Sequence, residues 1–182
     1  MPGFLPHGGG YKKLKVYQVT EIIYDLTYHF AHRFYAIGDR TIDQMVQAAR
    51  SGKQNIAEGS AASSTSRETE IKLTNVAKAS LEELLVDYED YLRVNGLCQW
   101  NKHHPRYATM LAYAKSDALT IEYPTLYDRL NGEEYCNLCI TLINQATYML
   151  RKLLDKQQQA FVEQGGIREQ MTRARLEYRK KK

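Results

Sequence analysis

Long apolar runs are missing from this 182-residue chain, and nothing in it approaches the roughly 18 consecutive apolar residues of a membrane-crossing helix. The opening MPGFLPHGGGYKK has no apolar block of the kind a secretory signal needs. Cysteine is scarce: Cys98, Cys136 and Cys139 are an odd number and too few for a disulfide framework, so a reducing cytoplasm is the expected compartment. Proline occurs only at 2, 6, 105 and 124, leaving 7–104 uninterrupted. Alternating apolar–polar runs joined by Asn-Gly or Asp-Gly turns, the mark of β-hairpins, do not occur. Nor do the phosphate-binding patterns G-x-x-x-x-G-K-[ST] and G-x-G-x-x-G, or the G-x-S-x-G nucleophile turn. What is present, 43% hydrophobic and 25% charged residues with a mean hydropathy of −0.54, is the composition of an ordinary globular protein.

The formal charge of +4 is unevenly placed. Residues 167–182 hold seven Lys/Arg and two Glu, a net of +5, while the remainder nets −1. Such a basic end binds nucleic acid or an acidic protein surface, or is only a solvated terminus.

Apolar residues recur at i, i+3 and i+4, the spacing of amphipathic helices. A first helix is predicted over 16–37, with Val16, Val19, Ile23, Leu26, Phe30 and Phe34 on one side and Gly38 as its stop. A second starts near Thr41, carries Ile42, Met45, Val46, Ala49 and Ile56, and is predicted to stop at Gly59. The small polar stretch 60–66 reads as a loop, and Thr65 with Glu68 as a capping box. A third helix then carries Leu73, Ala77, Leu81, Leu84, Tyr88 and Leu92 and is closed by Gly96. The fourth opens at Asn131, with Glu134 at the third position, and runs past Leu150 to Phe161. Between these last two, 97–130 is an insertion in which Pro105 starts a short helix and Pro124 breaks any helix beyond it. The expected fold is all-α: an up-down four-helix bundle over 16–163, a flexible arm over 1–15 and a basic helical tail over 164–182.

The segments AARSGKQNIAEG (48–59) and SRETEIKLTNVAKASLEELLVDYEDYL (66–92) resemble the signature of the bacterial four-helix bundle proteins. That family includes proteins encoded in intervening sequences of ribosomal RNA genes and relatives of the accessory variability determinant of diversity-generating retroelements. The resemblance rests on Ser51, Asn55, Ile56, Ala57, Glu58 and Gly59, then Ala77, Ser80, Leu81 and Glu83, and 160–178 resembles the C-terminal suffix of one subgroup. Gly52-Lys53 stands where many members have Ile-Pro, and the 97–130 insertion is longer than a simple bundle needs. The resemblance implies a homopentameric ring without enzymatic activity, and its retroelement branch implies binding of RNA or DNA and of a reverse transcriptase.

No cofactor, metal or catalytic residue is expected. Cys136-x-x-Cys139, with Cys98 and His103 or His104, has zinc-ligand types, but Cys139 lies on a core stripe where cysteine acts as a small apolar residue. His29 and His32 share a face, yet Glu-x-x-His, required for a di-metal bundle, does not occur. In the signature set Ser51, Asn55, Glu58, Gly59, Ser80 and Glu83, Gly59 reads as a left-handed helix end. Glu58, beside an unfavourable helix C-terminus, reads as needing a cationic or tyrosine partner. Tyr17, Tyr24, Tyr28 and Tyr35 are spaced 7, 4 and 7, a stripe that is either the edge of a broad core face or an oligomer interface. The ring implied by the resemblance favours the interface. Candidate phosphate contacts are Arg50 and Lys53, then Arg67, Lys72 and Lys78, and the tail set Arg168, Arg173, Arg175, Arg179, Lys180, Lys181 and Lys182. Glu82, Glu83, Asp87, Glu89 and Asp90 make the end of the third helix acidic and repel a phosphate backbone. The chain thus reads as a homo-oligomeric RNA- or DNA-binding accessory protein, the alternative being an adaptor whose partner is a protein such as a reverse transcriptase.

Overall fold

Every stretch with helical spacing is a helix in the computed structural model, which describes residues 10–180. The helices are α1 (Lys15–Phe34), α2 (Arg40–Ala62), α3 (Arg67–Val94), α4 (Tyr107–Ala114), α5 (Asp117–Glu122), α6 (Gly132–Gln164) and α7 (Ile167–Lys180), with no strand among the described residues. Helices α1 and α2, α2 and α3, α3 and α6, and α6 and α1 pack in pairs, so the four longest surround a shared interior. The predicted stripes fill it: Ile23, Leu26, Phe30, Met45, Ala49, Leu81, Leu84, Tyr88, Leu142 and Leu150 are essentially solvent-free. Each such aliphatic or aromatic side chain contributes about 1.5–3 kcal/mol by leaving water.

Two buried tyrosine hydroxyls are paired. The Tyr88 hydroxyl donates to Thr27 Oγ1 at 2.9 Å and the Tyr135 hydroxyl to the Leu26 carbonyl at 3.0 Å, tying α3 and α6 to α1. Burial raises the Tyr88 and Tyr135 pKa values, and both hydroxyls stay protonated donors.

The helix ends differ from expectation in instructive ways. α1 stops at Phe34, three residues early, and the chain turns through Gly38 at φ +89°. α2 does not stop at Gly59 but continues to Ala62, and Gly59 is not in the left-handed region. The cap of α3 is Ser66, whose hydroxyl accepts from the Thr69 amide at 3.1 Å. Thr65, the expected cap, turns back to donate to the Ala62 carbonyl instead. The capping box of α6 is as predicted: Asn131 Oδ1 accepts from the Glu134 amide and Glu134 Oε2 from the Asn131 amide.

Residues 1–9 of the expected arm, with Lys181 and Lys182, lie outside the described residues. Within the rest of that arm, Tyr11–Lys13 is a 3₁₀ turn, and Tyr11 packs edge-on against Tyr17 at 4.8 Å.

Candidate nucleic-acid interface

The basic tail becomes α7, a helix set apart from the packed body. Its start is fixed by the break at Gly165, which has φ +73° and where an added Cβ would collide with a Glu169 carboxylate oxygen. That carboxylate accepts from the Gly166 amide at 3.2 Å, so one of the two acids of α7 serves as an N-terminal cap. No residue of α7 is buried. Arg168, Arg175 and Arg179 are separated by seven and four residues, which at 3.6 residues per turn places them within about 40° of one another around the helix. All three are exposed and in no ion pair among the described residues, as are Arg173 and Lys180 on other faces.

The cations on α2 and α3 are differently employed. Arg67 reaches across to α6, where its guanidinium donates to the Ala160 carbonyl at 2.7 Å and to Gln164 Oε1. Lys72 pairs with Glu68 at 2.7 Å and Lys78 with Glu82 at 2.9 Å, each one helical turn away. Lys53 is half-buried with its ammonium 4.3 Å from the Tyr24 ring centroid, a cation–π contact. Arg50 alone of these five is exposed without such a contact among the described residues. The fold therefore does not gather these five into one field; among the candidate cations, those of α7 and Arg50 are the exposed ones in no ion pair among the described residues.

Four of the six residues Ser51, Asn55, Glu58, Gly59, Ser80 and Glu83 lie at the α2–α3 contact, namely Ser51, Asn55, Gly59 and Ser80. Ser51 Oγ and Ser80 Oγ share a hydrogen bond of 2.8 Å between the two helices, and Asn55 Nδ2 donates to Ser51 Oγ at 3.1 Å and to the Ser51 carbonyl at 2.9 Å. Gly52 lies against Leu81, and Gly59 against Glu70, Leu73 and Thr74, so both glycines serve close helix approach. Glu58 departs from expectation. Because α2 continues past Gly59, its carboxylate is not at a helix terminus, and it is exposed with no ion-pair partner among the described residues. Glu83 is exposed on the acidic outer side of α3. There Asp87 is half-buried; burial first, then the neighbouring Glu83 and Asp90, raises its carboxyl pKa to about 6.

Of the tyrosine stripe, Tyr17 is buried under Tyr11. Tyr24 carries Lys53, and Tyr35 packs edge-on to Tyr91 at 5.6 Å. Only Tyr28, 44% exposed and tilted over His32, presents much surface.

Sequence reasoning missed a polar clasp that holds the segment Cys98–Trp100 onto α6. Glu133 accepts from the Trp100 indole at 2.8 Å and the Cys98 amide at 2.9 Å, while Asn137 accepts from the Trp100 amide and donates to the Cys98 carbonyl. These bonds hold the Glu133 carboxyl below its usual pKa, the Cys98 amide contributing most. His104 stacks on Trp100 at 4.4 Å, Arg106 lies over the same ring at 4.8 Å, and Arg106 also pairs with Glu134 at 2.6 Å. The lone tryptophan was the available signal. Cys136 and Cys139 are buried on α6 while Cys98 is exposed, and the described residues contain no group of three or more His, Cys, Asp or Glu placed to hold a metal ion. No helix among the described residues is long and apolar enough to cross a membrane.

No family model, no curated protein and no solved structure matches this chain.

Proposed function

We propose that this protein is a non-enzymatic nucleic-acid-binding accessory protein, with RNA as its main target, in which α7 is the element that meets the phosphate backbone. In this reading α1, α2, α3 and α6 form an up-down four-helix bundle that assembles with copies of itself, 97–130 is an insertion on it, and α7 is a basic suffix. The observation that carries the reading is the arginine row Arg168, Arg175 and Arg179, exposed on one side of a helix that buries nothing of its own. Phosphates need clustered cations that are not already paired, since each neutralised phosphate releases counterions. Guanidinium groups also present two parallel donors to a phosphate. Self-assembly would add rows, multiplying the field offered to one polyanion.

Binding of a structured RNA and of a DNA duplex, followed by fluorescence anisotropy, tests this with R168Q/R175Q/R179Q beside the unaltered chain. Because α7 is exposed throughout, the triple change is expected to leave thermal stability intact and to weaken binding at least tenfold, about 1.4 kcal/mol. Equal affinity of the two proteins would overturn the assignment to α7.

A second reading is favoured by the outer side of α3, where Glu82, Glu83 and Asp90 are exposed together with Val86 and Val94. An acidic surface with apolar residues suits a protein partner with a basic face, as an adaptor would need. The absence of salt-sensitive binding to either nucleic acid would favour it.

A further inference from the structure

The insertion does more than cover α6: with α1 and α6 it walls a cleft of about 600 Å³. That volume lies within the range of small-molecule sites. Its lining is mostly apolar in surface, with Val19 and Ile22 from α1, Leu111 and Leu119 from α4 and α5, and Ile140 and Met149 from α6. Trp100, held by the Glu133 clasp, forms part of the wall.

Two features give the cleft a chemical preference. Lys15 and Lys115 are its charged lining residues, and no carboxylate among the described residues lines it. Both lysines are exposed and in no ion pair among the described residues. We infer that the cleft between the insertion, α1 and α6 binds a small organic anion with an apolar body, of the medium-chain acyl carboxylate class. The chain packs against the aliphatic wall and the carboxylate is recognised by Lys15 and Lys115. This site is separate from α7, and the inference stands or falls independently of the nucleic-acid reading.

Decanoate is the probe, with decanol as its uncharged counterpart, and the full chain is titrated by calorimetry and by the fluorescence of Trp100, the chain's single tryptophan. Expected are saturable submillimolar binding of decanoate with a shift in Trp100 emission, and weaker binding of decanol. K15Q/K115Q, at exposed positions, is expected to fold normally and to lose about tenfold in decanoate affinity while decanol is unaffected. N144F, at an exposed lining position, narrows the cleft and is expected to weaken both ligands. No saturable binding of decanoate to the unaltered chain would overturn the proposal. Equal affinity for decanoate and decanol, unchanged in K15Q/K115Q, would overturn recognition of the anion. Undiminished binding to N144F would place the site elsewhere.

Discussion

Two glycines of α2 face α3, and the same substitution at each is expected to act with opposite sign. Replacing glycine by alanine inside a helix gains about 0.8–1 kcal/mol in intrinsic preference. At Gly52 the added Cβ would lie 2.7 Å from Leu81 Cδ2 and 2.9 Å from Leu81 Cγ. Leu81 is fully buried, and Cγ is close enough to its backbone that the side chain cannot simply swing aside. Overpacking of this kind costs about 1–3 kcal/mol, which exceeds the helix gain, so G52A is expected to be net destabilising by about 1 kcal/mol. At Gly59 the nearest atoms, the Glu70 carbonyl oxygen and Leu73 Cβ, stand at 3.4 Å, ordinary contact. G59A is therefore expected to stabilise by about 0.5 kcal/mol. Urea unfolding followed by circular dichroism measures both, with the slope checked for constancy so that the midpoint shift reports stability. Leu81→Ala in the G52A background removes the clash, and the double variant is expected to be more stable than the sum of the single effects. A G52A protein stabilised as much as G59A would refute the packing argument.

Ionisable groups give two further expectations. The Asp87 carboxyl is raised to about 6 in the folded chain against an ordinary value near 3.8, so the native state takes up the proton more readily than the unfolded one. Stability conferred by that protonated form is present at about pH 4 and is lost as pH rises toward about 6. D87N is accordingly expected to be more stable than the unaltered chain at pH 7, by about 1 kcal/mol after solvent screening of Glu83 and Asp90, and no more stable at pH 4; equal stability at both would contradict it. Burial pushes both interior thiols up, Cys139 to about 12, while Cys98 is exposed. Iodoacetamide at pH 8 is expected to modify Cys98 rapidly and Cys136 and Cys139 only after denaturation, as read by intact mass; rapid triple modification of the native chain would refute it.

The long helices were legible because their signal is local and repeated. Val16 to Phe30 and Ala77 to Leu92 each declare a buried side by spacing alone, and nothing in the tertiary structure overrides it. What was misread turned on residues with two uses. Glycine serves equally as a helix stop and as a place for close helix approach, and at Gly59 only the position of α3 tells them apart. Thr65 and Ser66 can both cap, and the choice depends on where α2 ends. The cations were harder still. Arg67 binds a carbonyl 93 residues away, and Glu133 clasps an indole 33 residues back, separations at which no periodic pattern forms. The arginine row of α7 was within reach, since its spacing of seven and four fixes a common side. Total charge marks the tail but does not reveal that side.

The salt dependence of nucleic-acid affinity tests the assignment of α7 most directly. Plotting the logarithm of the binding constant for a DNA duplex against that of salt concentration gives a slope of about −0.9 per phosphate neutralised. If Arg168, Arg175 and Arg179 each neutralise one, R168Q/R175Q/R179Q should flatten that slope by about 2–3 relative to the unaltered chain. Parallel lines for the two proteins would contradict it, because the phosphates would then be met by other residues.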